Sequence, residues 1–209
     1  MCEQTRASKP VGLSPKQRLV KRLFDISVAL PGLIVSTPVI VVAVAISTLD
    51  TREWGIFGQE RVGRNGTTCR IHKIRSMRSS QAFTTTVTAS SDPRITRFGG
   101  ILRRTKVDEL IQLWDVLVGR MSLVGPRPDV PGWADCLVGD DRVVLSVRPG
   151  ITGPASIEFR DEEKLLSEQA DPETYNREVI WPQKVALNKE YVANWTLAGD
   201  VAYIIRTIR

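Results

Sequence analysis

The stretch Ile26–Leu49, "ISVALPGLIVSTPVIVVAVAISTL", runs for twenty-four residues without a charge, and its reading decides the fold. A helix needs about 20 apolar residues to cross a bilayer. Lys16, Arg18, Lys21 and Arg22 precede it, and no small-residue cleavage site follows a short apolar core. The segment therefore reads as a retained membrane element rather than a removed signal. Pro38 stands at its middle, where it removes a backbone donor and crowds the Ile34 carbonyl. A kink or reversal is expected at Thr37-Pro38, with the hydroxyls of Ser36 and Thr37 serving freed backbone groups where no water reaches. Two topologies follow. A kinked single-pass helix carries everything after Asp50 to the far side. A chain that turns back at Thr37-Pro38 keeps both flanks beside the basic leader, which the positive-inside bias places in the cytoplasm.

Charge is unevenly spread on either side of this segment. The net charge of +6 comes from six Lys/Arg against one acid in residues 1–24 and eleven against two in residues 60–106, while residues 25–59 hold one against three and residues 107–209 eleven against seventeen. A basic belt of this kind fits nucleic acid, but no helix-turn-helix, zinc-finger or aromatic RNA-binding signature accompanies it, so nucleic acid is not expected. Cys2, Cys69 and Cys136 are odd in number and lack CxxC spacing, and His72 is the single histidine. Neither a disulfide framework nor a Cys/His zinc site nor a histidine triad is supported. At 209 residues the chain suits one catalytic unit with a real core.

Beyond the segment, Ile56–Gln59 and Thr68–Ile74 read as strands of a basic hairpin around a Gly63–Gly66 turn. Ser79–Pro93 is Ser/Thr-rich and reads as a mobile loop, followed by a short basic helix over Ile95–Lys106. "VGPRPDVPG" and "VRPGITGP" are stiff loops holding Arg127 and Arg148 between prolines and glycines. Such pre-organised guanidinium forks suit oriented phosphate binding. A polar helix over Glu162–Glu168 and a longer one over Val179–Trp195 follow. Leu197, Val201, Ile204, Ile205 and Ile208 then share a helix face.

"TKVDELIQLWDVLVGRMSLVGPRPD", Thr105–Asp129, sets Asp108 and Glu109 ahead of Leu110, Leu113, Trp114, Leu117 and Val118, whose spacing predicts one buried helix face. Thr105 and Asp108 have capping-box spacing, so the acids read equally as caps of that helix. The alternative is phosphate chemistry. Mg²⁺ takes one or two carboxylates plus substrate phosphates, and an ionised Asp can attack a phosphorus atom neutralised by metal and arginine.

The pieces "KRLFD", "GQERVGRNG", "KIRSM", "DPRITRFGGILRRTKVDELIQLW", "MSLVGPRP" and "RPGITG" occur in order over residues 18–209. In them the chain resembles the monotopic polyprenyl-phosphate phosphoglycosyl transferases, the bacterial sugar transferase family. The resemblance implies an α+β, mostly helical small catalytic domain over residues 51–209. A re-entrant helix-break-helix over residues 25–50, broken at Thr37-Pro38, would carry it on the cytoplasmic face of the bacterial inner membrane. Residues 1–24 form the basic juxtamembrane leader. The implied reaction moves a phospho-sugar from a UDP-sugar to polyprenyl (undecaprenyl) phosphate, giving UMP and a polyprenyl diphosphate-sugar at the phospholipid bilayer. Mg²⁺ is the implied cofactor, Asp108 the nucleophile, and Glu109 a second ligand that places the metal. Lys73, Arg75, Arg127 and Arg148 are expected around the diphosphate. Three positions depart from the family pattern, which commonly has Pro at Ile111, Asn at Asp115 and Asp at Arg120. A membrane adaptor without activity and a soluble nucleotide phosphohydrolase are the competing readings.

Overall fold

The computed structural model describes residues 12–79 and 92–208. Helix α1, Pro15–Thr51, opens on a capping box in which Gln17 and Ser14 satisfy each other's backbone N–H groups, and it closes on Arg52 in the left-handed conformation. Both prolines lie inside this one helix. No interruption separates its halves, contrary to the break expected at Thr37-Pro38. The hydroxyls of Thr37 and Ser36 turn back to the Leu33 carbonyl at 2.7 and 3.3 Å. Such back-bonding lets the helix carry a proline with little exposed polar surface.

The buried residues of α1 are Lys21, Asp25, Ala29, Ile40, Ala43, Ser47 and Thr51. At 3.6 residues per turn all of them fall within about 120° of the circumference, along roughly 45 Å of axis. Helix α1 thus docks on the rest of the protein through this stripe, most fully at Lys21–Ala29 and Ile40–Thr51. Its opposite face exposes Leu23, Leu30, Ile34, Val35, Val41 and Leu49.

Strands β1 (Ile56–Val62) and β2 (Thr68–Ile74) form the expected antiparallel hairpin, with β1 three residues longer than its apolar pattern. The register pairs Phe57 with Lys73, Gln59 with Ile71 and Arg61 with Cys69, so these six share one face. The Ser79–Pro93 loop falls mainly outside the described residues. Helix α2 spans Arg97–Thr105, capped by the Thr96 hydroxyl, and α3 spans Gln112–Leu117. Strands β3 (Ser122–Val124) and β4 (Gly150–Thr152) pair in parallel. Helices α4 (Pro154–Glu158), α5 (Glu162–Ser167), α6 (Pro172–Tyr175), α7 (Trp181–Ala193) and α8 (Leu197–Ile208) complete the mixed, mostly helical fold. Cys69 is a free, part-buried thiol.

One core gathers Ala29 of α1, Ile71 of β2, Val116 of α3, Val124 of β3 and Val192 of α7. A second, under α2 and α3, joins Ile40 and Ala43 of α1 to Ile74 and Leu102. A buried carboxylate ties the helix ends together: Asp200 accepts from Lys21 at 2.6 Å, Tyr191 at 2.7 Å and Trp195 at 3.0 Å. Asp25 accepts from the Ser122 hydroxyl and the Leu123 N–H, both at 3.0 Å.

Candidate active site

Asp108 and Glu109 do not begin a helix. They lie in a 3-10 turn, Val107–Glu109, entered through Lys106 at φ 57°. The Thr105 hydroxyl bonds back to Ile101 within α2, so no capping box forms. The predicted apolar face is also rotated. Gln112, Asp115 and Val116 are the buried residues of α3, while Trp114 and Val118 are 50% and 45% exposed. The helix is short and wedged between α1 and β2, and its Trp114 side turns outward beside the apolar outer surface.

The two acids have different surroundings. Glu109 accepts from Lys73 Nζ at 2.9 Å, and an Arg127 terminal nitrogen lies 3.8 Å from the same oxygen. Burial opposes its ionisation, but Lys73, Arg127 and Lys106 outweigh burial and hold the carboxyl below the usual glutamate range. Asp108 is 6% exposed, and its Oδ1 has no hydrogen-bond partner. Burial pushes its carboxyl up, with the Glu109 charge adding and Lys73 opposing. One acid is thus compensated and the other is left wanting a partner.

Glu109, Lys73, Arg61, Gln112, Arg127 and Gly150 border an open cleft of about 390 Å³. Its basic wall exists because of glycine. A Cβ on Gly150 would sit 2.2 Å from the Gly125 nitrogen, one on Gly153 2.1 Å from the Gly125 oxygen, and one on Gly125 2.5 Å from the Arg148 oxygen. The two proline-glycine loops therefore press backbone to backbone, joined by Gly125 N–H to Thr152 O and Gly150 N–H to Pro126 O, each 2.8 Å. That contact fixes the Arg127 loop opposite Glu109.

Two expected residues are placed elsewhere. Arg75 donates to the Trp54 carbonyl at 2.9 Å, pairs with Glu53 at 3.1 Å and lies over the Phe57 ring. Arg148 donates from Nε to the Gly119 carbonyl at 2.8 Å and lines a different cavity. Arg61 and Gln112, not anticipated, stand in the cleft instead. Arg61 could have been found from strand alternation, because it shares the hairpin face with Lys73 once the register is known.

A family model described as bacterial sugar transferase matches residues 16–209. The chain belongs to the bacterial sugar transferase family. This sugar transferase is 35% identical over 198 residues to the exopolysaccharide production protein PSS of Rhizobium leguminosarum bv. phaseoli, covering 91% of this chain and 94% of the relative. It is 33% identical over 210 residues to the undecaprenyl-phosphate galactose phosphotransferase of Salmonella typhimurium, covering 92% of this chain. To the UDP-galactose-lipid carrier transferase of Erwinia amylovora it is 32% identical over 207 residues, covering 91% of this chain. The match spans only 40% of the length of each of the last two proteins.

Proposed function

We propose that this sugar transferase moves a sugar phosphate from a UDP-sugar to polyprenyl phosphate through a covalent intermediate on Asp108. The observation that carries the reading is the unequal acid pair. Glu109 is already held by Lys73, while the Asp108 oxygen is buried and unpartnered. A buried carboxylate oxygen without a partner is poised to bond an incoming electrophile or cation rather than to stabilise the fold.

In the first half-reaction an Asp108 oxygen attacks the sugar-bearing phosphorus. The bond from that phosphorus to the bridging oxygen breaks, and UMP leaves with the bridging oxygen and the electron pair. In the second, a phosphate oxygen of the polyprenyl carrier attacks the same phosphorus and returns Asp108 to a carboxylate. Asp108 does not border the cleft, so its side chain must rotate outward, a motion that its missing hydrogen bond makes inexpensive. Lys73, Arg61 and Arg127 surround the region where the diphosphate would lie and would bear the charge developing on its oxygens.

The residues also fit a Mg²⁺. Among the described residues no group of three or more His, Cys, Asp or Glu could hold a metal. Asp108, whose buried Oδ1 lacks a partner, and the adjacent Glu109 would hold it through their carboxylates, which suits an ion that takes one or two carboxylates beside substrate phosphates. When bound it would neutralise phosphate charge.

The lipid acceptor requires a position at the bilayer, and the docking of α1 supports a one-sided placement. A helix whose two ends both bond to the same soluble domain cannot also cross about 30 Å of hydrocarbon between them. Lys21 and Arg22 reach Asp200 and the Val116 and Leu117 carbonyls near one end, and Ser47 reaches the Arg75 carbonyl near the other. Both ends of α1 therefore belong on the catalytic domain's side, which we place in the cytoplasm where UDP-sugars are made. The helix would then enter one leaflet by its exposed apolar face and return to the same side.

The test is exchange of labelled UMP into UDP-sugar without any lipid acceptor. Exchange is expected with wild type and lost in Asp108→Asn, and intact-protein mass spectrometry should show a phospho-sugar adduct mapping to Asp108. Exchange by Asp108→Asn, or an adduct on Glu109, would overturn the assignment.

A further inference from the structure

A second, open pocket shares no lining residue with the cleft beside Glu109. It is bordered by Arg18, Lys21 and Asp25 from the start of α1, Arg64 from the β1–β2 turn, and Ser146 and Arg148 ahead of β4. Four of these six side chains are cationic and one is anionic. Lys21 is already spent on Asp200. Asp25 is spent on Ser122 and the Leu123 N–H. Among the described residues no carboxylate forms an ion pair with Arg18, Arg64 or Arg148.

The donors facing this space are unusually idle. Arg64 Nε and Ser146 Oγ are buried with no hydrogen-bond partner, and Arg148 spends only its Nε, on Gly119. Buried donors of this kind are costly unless something accepts from them. Burial, followed by the charges of Arg22 and Arg64, lowers the Arg148 guanidinium from its ordinary range, and the Asp25 charge opposes them only in part.

We infer that this cavity is a second anion site, which binds a phosphate group between Arg18, Arg64 and Arg148 with the Ser146 hydroxyl as a further donor. Phosphate is the class that fits, because its several acceptor oxygens can take guanidinium forks from three directions while its charge offsets the surplus of cations. Arg18, Lys21 and Asp25 occupy the turns of α1 just ahead of the charge-free run that begins at Ile26. The same pocket is therefore within reach of a lipid headgroup phosphate and of a free one. The inference uses nothing from the transfer reaction and survives or fails independently of it.

Thermal unfolding of the full chain in a neutral maltoside detergent tests it, with inorganic phosphate in one arm and micelles doped with phosphatidic acid in the other. At least one source should raise the Tm saturably, beyond sodium chloride at matched ionic strength, and the responding arm identifies the source. Arg18→Gln/Arg64→Gln should weaken the apparent affinity at least tenfold. Arg18→Lys/Arg64→Lys, which keeps the charge, should recover part of it and guards against a folding defect. Lys73→Gln/Arg127→Gln, in the other cleft, should respond like wild type. No stabilisation by either source, an undiminished response in Arg18→Gln/Arg64→Gln, or its loss in Lys73→Gln/Arg127→Gln would each overturn the site.

Discussion

The Arg120 guanidinium lies 3.1 Å from the Asp115 carboxylate, which is 0% exposed. Two of the positions expected to depart from the family pattern thus pair with each other. Asp115 also accepts from the His72 backbone N–H at 2.8 Å, and the His72 Nδ1 lies 2.9 Å away. This carboxylate fastens α3 to β2, the strand that carries Lys73. Stranding a buried charge costs several kcal/mol, less where one partner is partly exposed, as Arg120 is. Arg120→Asp alone should therefore destabilise the protein by about 2 kcal/mol. Adding Asp115→Asn should restore most of that loss. Additive effects in denaturant unfolding of the double variant would show the pair to be uncoupled.

Arg127 and Arg75 should behave differently despite similar sequence settings. Arg127→Lys keeps the charge near Glu109 but loses the two-pronged fork, so kcat/KM for the UDP-sugar should fall at least tenfold, about 1.4 kcal/mol. Arg75→Gln loses the bonds to Glu53 and Trp54. It should lower thermal stability by about 1 kcal/mol and leave the UDP-sugar KM near wild type. Steady-state kinetics beside thermal melts separates the two, and the opposite pattern would exchange their roles.

Topology is open to direct labelling. Lys16→Cys lies ahead of the apolar run and Glu173→Cys far beyond it, both exposed. An impermeant thiol reagent should label neither in intact cells and both after lysis. Labelling of Glu173→Cys alone in intact cells would mean that α1 spans the bilayer.

Asp129 predicts a pH dependence of stability. Burial lifts its carboxyl to about 6, against the opposing charges of Lys184, Arg127 and Arg61. A folded pKa above the unfolded one favours folding while the group is protonated, and that contribution is lost as pH rises from about 4 through about 6. Asp129→Asn should hence be about 1–2 kcal/mol more stable than wild type at pH 7.5. The two should nearly coincide at about pH 3.5, below the unfolded pKa. An equal offset at both values would remove Asp129 as the cause. The backbone carbonyl of Asp129, which accepts from Val62 N–H at 2.8 Å, is unaffected by the substitution.

The sequence by itself determined the charge-free segment, the β1–β2 hairpin and the acid pair, because each is written in neighbouring residues, while the mostly helical α+β class came from the family resemblance. A run without charge, an alternating strand and a Gly/Asn turn need no distant contact to be read. Tertiary structure alone decided which face of α1 docks on the domain. That outcome depends on a stripe from Lys21 to Thr51 finding partners on α8, β3 and the end of β2. It also decided which arginine meets which acid. Arg127, Arg75 and Arg148 look alike in sequence, since a long charged side chain carries no local preference for its partner. The backbone contact of Gly125 with Gly150 and Gly153 set Arg127 opposite Glu109. Glu53 and Trp54 claimed Arg75, and Gly119 claimed Arg148. The difference between Asp108 and Glu109 was equally invisible from the chain, because desolvation and Coulomb attraction depend on what packs around a carboxylate and not on its neighbours in sequence.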